Sequence, residues 1–194
     1  MTTMLNKLSP SITRMIRMDH THVLATFHRF TADTPADRKQ AIVNTVCLAL
    51  EIHAQLEEEI FYPALRSVAT DEAVLAKSKP EHDEMRRLIG ELRSLQPGDA
   101  AFDSTFQQLM RDVMHHVADE ETVLLPAAER LLKDRLGELG AQMTKRRLQL
   151  AAPHTGEIAS NTARAMPAST MVMAAGGLLA GGLLLKKALE LRRH

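Results

Sequence analysis

Apolar side chains recur at every third or fourth position along most of the chain before residue 150, and runs of β-branched residues are missing. This spacing is typical of amphipathic α-helices, which bury one stripe of side chains and expose the rest. Short stretches rich in Pro, Gly, Asp and Ser interrupt the spacing, most clearly at residues 96–99. The predicted helices are A near residues 10–31, B near 36–67, C near 80–95 and D near 100–134.

Four amphipathic helices joined by short turns favour an all-α fold, an up-down-up-down antiparallel four-helix bundle. We expect this bundle to occupy residues 1–150, with a linker and a C-terminal tail helix in residues 151–194. The predicted buried stripe continues through Ile60 in helix B. In helix D it continues through Val123, Ala127 and Leu131.

Six polar residues interrupt the apolar stripes at helical spacing. His20, for example, lies four residues after Ile16 and four before Leu24. A buried imidazole or carboxylate needs a partner, because removing it from water alone costs several kcal/mol. No Lys or Arg lies on these stripes, so a bound cation is the partner that would satisfy the whole set. The six candidate metal ligands are His20, His53, Glu57, His82, His116 and Glu120.

The positions of the turns predict that these six residues meet. In an antiparallel hairpin, residues at equal distance from the turn lie side by side. His20 and His53 are centred on the first turn, and His82 and His116 are centred on Asp99 in the third. One layer of the bundle is therefore expected to collect all six side chains.

The chain also contains an internal repeat. Each copy has an acid-His pair and then, 33 or 34 residues later, a His-x-x-x-Glu-Glu motif with a trailing Pro-Ala. Two such helical hairpins would hold two metal ions in pseudo-symmetry. The motifs are Asp19-His20 with His53-x-x-x-Glu57-Glu58, and Glu81-His82 with His116-x-x-x-Glu120-Glu121.

Composition narrows the function classes. The 24 basic and 24 acidic residues give a formal net charge of zero, and aromatic residues make up 3% of the chain. A basic patch and stacking aromatics are the usual means of binding nucleic acid, so we expect no nucleic-acid partner. The single cysteine, Cys47, cannot form an intramolecular disulfide, and no N-terminal signal peptide is visible, which suits a cytoplasmic location.

The four motifs resemble the hemerythrin family, in its HHE cation-binding subgroup. The resemblance covers about residues 15–130. It implies a four-helix bundle that binds two iron ions, a di-iron centre bridged by carboxylates and an oxygen species. Family members carry O2, sense NO or redox state, or handle iron and peroxide.

The resemblance also implies the role of each motif residue. His20 is similar to the single histidine of helix A, and His53 with Glu57 to the histidine and bridging carboxylate of helix B. His82 is similar to one helix C histidine, and His116 with Glu120 to the helix D pair.

Two positions depart from the family's oxygen carriers. The second helix C histidine is replaced, since its positions hold Ser78 and Arg86, and this argues against reversible O2 carriage. The carriers use Asp at +5 on helix D, where this chain has Glu120 at +4 and Glu121 at +5. A residue at +4 lies about 40° around a helix from its reference and one at +5 about 140°, so Glu120 is the preferred ligand.

Neighbouring polar residues are given simpler interpretations. Tyr62, nine residues after His53, is expected to point away from the ligands and to serve in packing. Three acids are expected to be solvated or to support the ligands from outside, and five histidines to lie on the surface or in the tail. The acids are Glu58, Glu59 and Glu121, and the histidines are His22, His28, His115, His154 and His194.

The tail carries an uncharged stretch at residues 165–185, followed by Lys186-Lys187. Its length is just enough to span a bilayer, but its glycines make it weakly hydrophobic. Membrane association and self-association through the tail both stay open.

Three functions are compatible with this site. The first is a di-iron protein that binds or senses O2, NO or peroxide, with weak redox turnover as a further outcome. The second is ferritin-type iron oxidation and storage, which usually needs Glu-x-x-His and more carboxylates than this chain offers. The third is a non-catalytic Zn²⁺ or Mn²⁺ binder.

Overall fold

The computed structural model describes residues 9–68 and 73–165, and every regular element within these ranges is helical. Two π turns, at Glu57–Phe61 and Glu120–Leu124, join neighbouring α-helices into longer continuous helices. The α-helices are α1 Ile12–Phe27, α2 Ala36–Leu56, α3 Tyr62–Arg66, α4 Ala73–Ser94, α5 Phe102–Asp119, α6 Leu125–Leu131, α7 Leu136–Ala151 and α8 Thr155–Ala165.

The predicted all-α bundle is confirmed. Helix A corresponds to α1, helix B to α2 with α3, helix C to α4, and helix D to α5 with α6. The predicted turn at residues 96–99 separates α4 from α5, and Asp99 N donates to Gln96 O over 3.0 Å. Gly98 has a φ of 119° in this turn, a backbone conformation that favours glycine.

Helix C begins earlier than predicted. The described part of α4 starts at Ala73, and Pro80, which was predicted to begin the helix, lies inside it. Proline leaves the carbonyl of Ala76 without its helical donor. Both Ala76 and Pro80 are exposed, so water can hydrate that carbonyl and the helix continues.

A fifth long helix, α7, was not predicted as a separate element. It packs against α1 and α2, and buries Leu139 and Met143. Gly140 permits the close approach to the start of α1, because a Cβ atom there would lie 2.1 Å from the carbonyl oxygen of Pro10.

The linker predicted after residue 150 is largely helical, which corrects that expectation. Residues Ala152–His154 form one 3₁₀ turn, and α8 follows directly and packs against α2. Asn161 and Ala165 of α8 are buried, so burial against α2 orders a segment whose composition alone suggested a loop.

The core forms two apolar clusters along the bundle. One cluster includes the rings of Phe27, Phe30 and Phe106, whose centroids lie 5.6 Å (Phe27 to Phe106) and 4.7 Å (Phe30 to Phe106) apart. The other includes Phe61 and Leu125. The six candidate ligands belong to neither cluster, although all of them are buried.

No helix within residues 9–68 and 73–165 has both the length and the apolar character needed to cross a membrane. The stretch at 165–185, predicted to associate with membranes or with itself, lies almost wholly outside the described residues.

Candidate metal centre

All six predicted ligands converge inside the bundle. Each is at most 5% exposed, and Glu57 and Glu120 are fully buried. Two sets of potential ligand atoms lie within 4.8 Å of one another, and Glu57 belongs to both sets. The first set is His20, His53, Glu57 and Glu120, and the second is Glu57, His82 and His116.

The Nε2 atoms of the histidines face the two buried carboxylates. His53 Nε2 lies 3.2 Å and His82 Nε2 lies 3.4 Å from Glu57 Oε2. His20 Nε2 lies 3.3 Å from Glu120 Oε2, and His116 Nε2 lies 3.7 Å from the same oxygen. Six side chains therefore direct nitrogen or oxygen atoms into one small volume.

The opposite ring nitrogen, Nδ1, of each histidine faces a second carboxylate outside the cluster. A carboxylate can only accept, so each imidazole donates its Nδ1–H, and in its neutral form it keeps a free lone pair on Nε2. Proteins commonly hold metal-binding histidines in this way. The four pairs are His20 with Glu121 at 2.9 Å, His53 with Asp19 at 3.4 Å, His82 with Glu58 at 3.0 Å, and His116 with Glu81 at 2.8 Å.

These outer carboxylates follow the internal repeat. The acid before the first histidine of each copy contacts the second histidine of the same copy, as Asp19 does with His53. The acid after each buried Glu contacts the first histidine of the other copy, as Glu58 does with His82. The acids flanking the motif histidines and glutamates thus hold the imidazoles in position.

Two arginines hold outer carboxylates in turn. Arg147 of α7 binds both oxygens of Asp19, with 2.5 Å between its Nη1 and Asp19 Oδ1. Arg86 Nη2 lies 2.9 Å from Glu58 Oε1. The cluster thus holds six carboxylates against two guanidinium groups, and with neutral imidazoles its formal charge is minus four.

The pKa values show that this site favours positive charge. Burial alone would raise the pKa of Glu57, but the surrounding histidines, His53 first, lower it well below its ordinary value. Burial would lower the pKa of His116, but hydrogen bonds to Glu57 and Glu81 raise it to about 10. The pKa of His53 is also raised, against burial, chiefly by the charge of Glu57.

Several buried atoms at the centre have no hydrogen-bond partner among the described residues. They are His20 Nε2, His53 Nε2, Glu57 Oε1 and Glu120 Oε2. The Nε2 atoms of His82 and His116 lie 3.1 Å apart, and when both imidazoles are neutral with Nδ1 protonated neither can donate to the other. Lone pairs that face each other in a buried, negatively charged site fit bound cations.

Both buried glutamates begin a π turn. The backbone N–H of Tyr62 donates to Glu57 O, and that of Leu125 donates to Glu120 O, each across five residues. A proline lies two residues after the end of each π turn, at Pro63 and Pro126. Proline clashes with the carbonyl four residues before it in an α-helix, and the wider turn relieves that clash.

The π turn corrects the prediction for Tyr62, which does not point away from the ligands. Its Oη atom lies 2.9 Å from Glu120 Oε1, 3.1 Å from Glu57 Oε2 and 3.4 Å from His82 Nε2. One additional residue in the turn places Tyr62 about 80° from His53 around the helix instead of about 180°. The phenol oxygen is therefore a seventh polar atom at the centre.

The comparison with known proteins agrees with this geometry. The model of the hemerythrin HHE cation binding domain matches residues 11–128. The chain belongs to the hemerythrin family. Its His/Glu cluster therefore lies in a domain of cation-binding type.

Two further proteins are similar to this hemerythrin domain. A hemerythrin HHE cation binding domain-containing protein from Mycobacterium kansasii has the same fold, with a TM-score of 0.65 and 20% identity, and covers 80% of this chain and 99% of its own. A DNA nickase from Nostoc sp. is 31% identical over 122 residues, which are 63% of this chain. The chain spans only 34% of the nickase's length.

Other sequence expectations for this hemerythrin domain can now be compared with the structure. Glu120 faces the centre and Glu121 contacts His20 from outside, as the helical angles predicted. Glu59 pairs with Arg146 at the surface. Of the histidines predicted to lie on the surface or in the tail, His22, His28 and His115 are exposed and His154 is half-buried.

A small cavity of about 10 Å³ adjoins the cluster of this hemerythrin domain. All four ligand histidines line it, and the remaining wall is mostly apolar, with Val23, Met85 and Val113 among its residues. Its volume is about that of one water-sized probe, so it is too small for an organic substrate.

Proposed function

We propose that this hemerythrin domain holds two iron ions and uses them to bind or sense O2, NO or peroxide. One observation carries the proposal. A nitrogen-rich set of four imidazoles and two carboxylates lies beside a mostly apolar cavity that is too small for an organic substrate. Iron, when bound, supplies a redox-active ion to which such small ligands coordinate, and imidazole is a donor that suits it.

The residues divide naturally into two sites. His20 and His53 would hold one ion, and His82 and His116 the other. Glu57 belongs to both groups and is the bridging carboxylate of this proposal. The formal charge of minus four on the cluster matches two divalent cations.

The surrounding residues prepare the site without taking part in coordination. The outer carboxylates fix each imidazole with its Nδ1 protonated and its Nε2 lone pair directed inward. The apolar cavity wall excludes bulk water, which strengthens the interaction between the carboxylates and a cation.

Tyr62 provides the site with a hydroxyl group that can donate a hydrogen bond. Burial, followed by the charges of Glu57 and Glu120, raises the pKa of Tyr62, so its hydroxyl keeps the proton in the absence of a cation. That hydroxyl lies within hydrogen-bond distance of both carboxylates. It can stabilise them, or act as an additional oxygen donor beside His82.

The experiment is metal analysis followed by an optical titration. Full-length protein, produced in medium containing Fe, Zn and Mn, is expected to hold two iron ions per chain and an absorption band that changes with O2, NO or peroxide. His53→Ala should lose metal and band together. His22→Ala, which changes an exposed histidine, should keep both.

Other outcomes separate the remaining functions. Stoichiometric Zn or Mn without iron would contradict the proposal and favour a metal-stabilised binding protein. Rapid Fe²⁺ oxidation with accumulation of mineral iron would favour the storage class. An iron-loaded protein whose spectrum ignores all three ligands would also contradict the proposal.

The similarity to a DNA nickase supports only the shared domain, because it covers about a third of that protein. A nucleic-acid partner is not part of the proposal, and its absence stays a prediction from charge.

A further inference from the structure

A second, larger cavity lies on the side of the bundle where α7 and α8 cover α1 and α2. We call it the flank pocket. Its volume is about 260 Å³, and its wall includes Asp19 and, of the six predicted ligands, His53 alone. Much of its wall is apolar, with Ala49, Ile52 and Ile158 among its residues.

Two buried hydrogen-bond donors in this wall have no partner among the described residues. They are Nδ2 of Asn161 and Nε of Arg147. Asn161 is only 4% exposed, and the terminal nitrogens of Arg147 are already engaged by Asp19. Buried N–H groups are rarely left unsatisfied, so two of them lining one cavity indicate an acceptor inside it.

The charges around the pocket decide which acceptor fits. Arg147 carries the nearest positive charge, and the carboxylate of Asp19 neutralises it. An anionic ligand would place a second negative charge beside Asp19, which is 16% exposed. An uncharged carbonyl oxygen accepts the same hydrogen bonds without that repulsion.

We propose that the flank pocket binds a small, uncharged, mainly apolar carbonyl compound. Its oxygen accepts hydrogen bonds from Asn161 and Arg147, and its apolar body packs against Ile52 and Ile158. The pocket shares His53 with the proposed metal centre, but the two donors that would hold the carbonyl compound, Asn161 and Arg147, are not metal ligands. Its occupant would lie next to the Arg147–Asp19 pair that holds His53.

Calorimetric titration of the full-length protein with three probes of similar shape tests this proposal. Acetophenone carries a carbonyl, ethylbenzene has no acceptor, and benzoate carries a charge. We expect acetophenone to bind at least about fivefold more tightly than either of the others, a difference of about 1 kcal/mol.

A variant distinguishes the two donors from simple apolar binding. Asn161→Leu keeps the branched shape and the number of side-chain heavy atoms and removes the donor, so acetophenone and ethylbenzene should bind it with nearly equal affinity. Asn44→Leu makes the same change on α2 outside the flank pocket and should retain the preference for acetophenone.

Four results would overturn the proposal. They are the absence of binding by any probe at millimolar concentration, equal binding of acetophenone and ethylbenzene to the natural chain, tighter binding of benzoate, and an unchanged preference in Asn161→Leu. The measurement needs no metal-dependent signal, so its failure leaves the di-iron proposal standing.

Discussion

Replacement of Arg147 by methionine tests whether α7 contributes to the metal centre. Arg147 donates hydrogen bonds to Asp19, and Asp19 accepts a hydrogen bond from His53 Nδ1 over 3.4 Å. Methionine keeps much of the apolar length of the side chain and removes the guanidinium. Burial would raise the pKa of Asp19, but hydrogen bonds from His53 and Arg147 lower it overall, which shows how closely the three groups interact.

The magnitude follows from exposure and geometry. Arg147 is 32% exposed and Asp19 is 16% exposed, and the contact uses both carboxylate oxygens. Exposed ion pairs contribute about 0–1 kcal/mol, and breaking a buried pair costs about 3–5 kcal/mol. A half-buried bidentate pair lies between these limits, so we expect Arg147→Met to lower the free energy of unfolding by about 2 kcal/mol.

The adjacent Arg146 provides a matched control. It also binds both oxygens of an acid, Glu59, but these side chains are 34% and 37% exposed, and Glu59 contacts no ligand histidine among the described residues. Arg146→Met should therefore cost less than about 1 kcal/mol. The stability of both variants is measured by urea unfolding, with the metal present and after chelation.

Metal affinity distinguishes a positioning role from a merely structural one. Loss of a group that orients a ligand histidine typically lowers metal affinity about 10–100-fold. Arg147 acts through Asp19, so we expect a loss of about tenfold in competition with a chelator, and no change for Arg146→Met. Equal affinities in the two variants would refute the reasoning, even if Arg147→Met unfolds more easily.

Three further predictions concern the cavity, the cysteine and the metal. Val113→Ile should fill the small cavity and weaken NO binding about tenfold, measured by optical titration, while the iron content stays unchanged. Val46→Ile enlarges a valine that is buried away from the cavity and should leave NO binding unchanged. Burial raises the pKa of Cys47 from 9.0 to about 12. As the pH rises, the thiol therefore ionises in the unfolded chain before it does in the folded one. The free energy of unfolding, measured by urea titration, should be unaffected below pH 9 and about 1.4 kcal/mol lower at pH 10, and Cys47→Ala should lack this loss. A metal present at a hundredfold excess over its Kd stabilises the folded protein by about 2.7 kcal/mol per site, so its removal should lower the free energy of unfolding by that amount. Thermal unfolding with and without metal should show a much smaller difference in Glu57→Gln.

The sequence predicted the ligand layer because every step used an undistorted helical period. Spacing of three or four residues holds in α1, α2, α4 and α5, up to the two buried glutamates. The turns between helices then bring the ligands to one level. The start of helix C was predicted wrongly, but the direction of His82 was still predicted correctly, because α4 continues through Pro80 with the same α-helical period.

The same period failed beyond Glu57 and Glu120, because each π turn adds one residue. Val123 and Leu131, predicted to be buried, are 45% and 40% exposed. The residues that follow them, Leu124 and Leu132, are buried instead. A proline six residues after each buried glutamate was the available signal for this shift.

Contacts from distant parts of the chain could not be predicted from local spacing. Arg147 and Asp19 are 128 positions apart, and their pairing depends on how α7 crosses α1. Gly140 permits that crossing, but a glycine in a helical stretch does not reveal which helix it approaches. The flank pocket could not be predicted for the same reason, because its wall combines residues of α1, α2, α7 and α8.

The two repeat copies give equivalent ligands in unequal surroundings. Tyr62 in the first copy corresponds to Leu125 in the second. The hydroxyl of Tyr62 lies at the centre beside the carboxylates, whereas Leu125 packs in the apolar core. Asp19 is bound by an arginine, whereas its counterpart Glu81 contacts His116 with no arginine pair among the described residues. The hydrogen bond to His116 lowers the pKa of Glu81 and the charge of Lys77 adds to this, so the two outer acids differ in the cation that acts on them. The repeat therefore places its candidate ligands by one rule, and the residues between its motifs give the two halves of the candidate centre different surroundings.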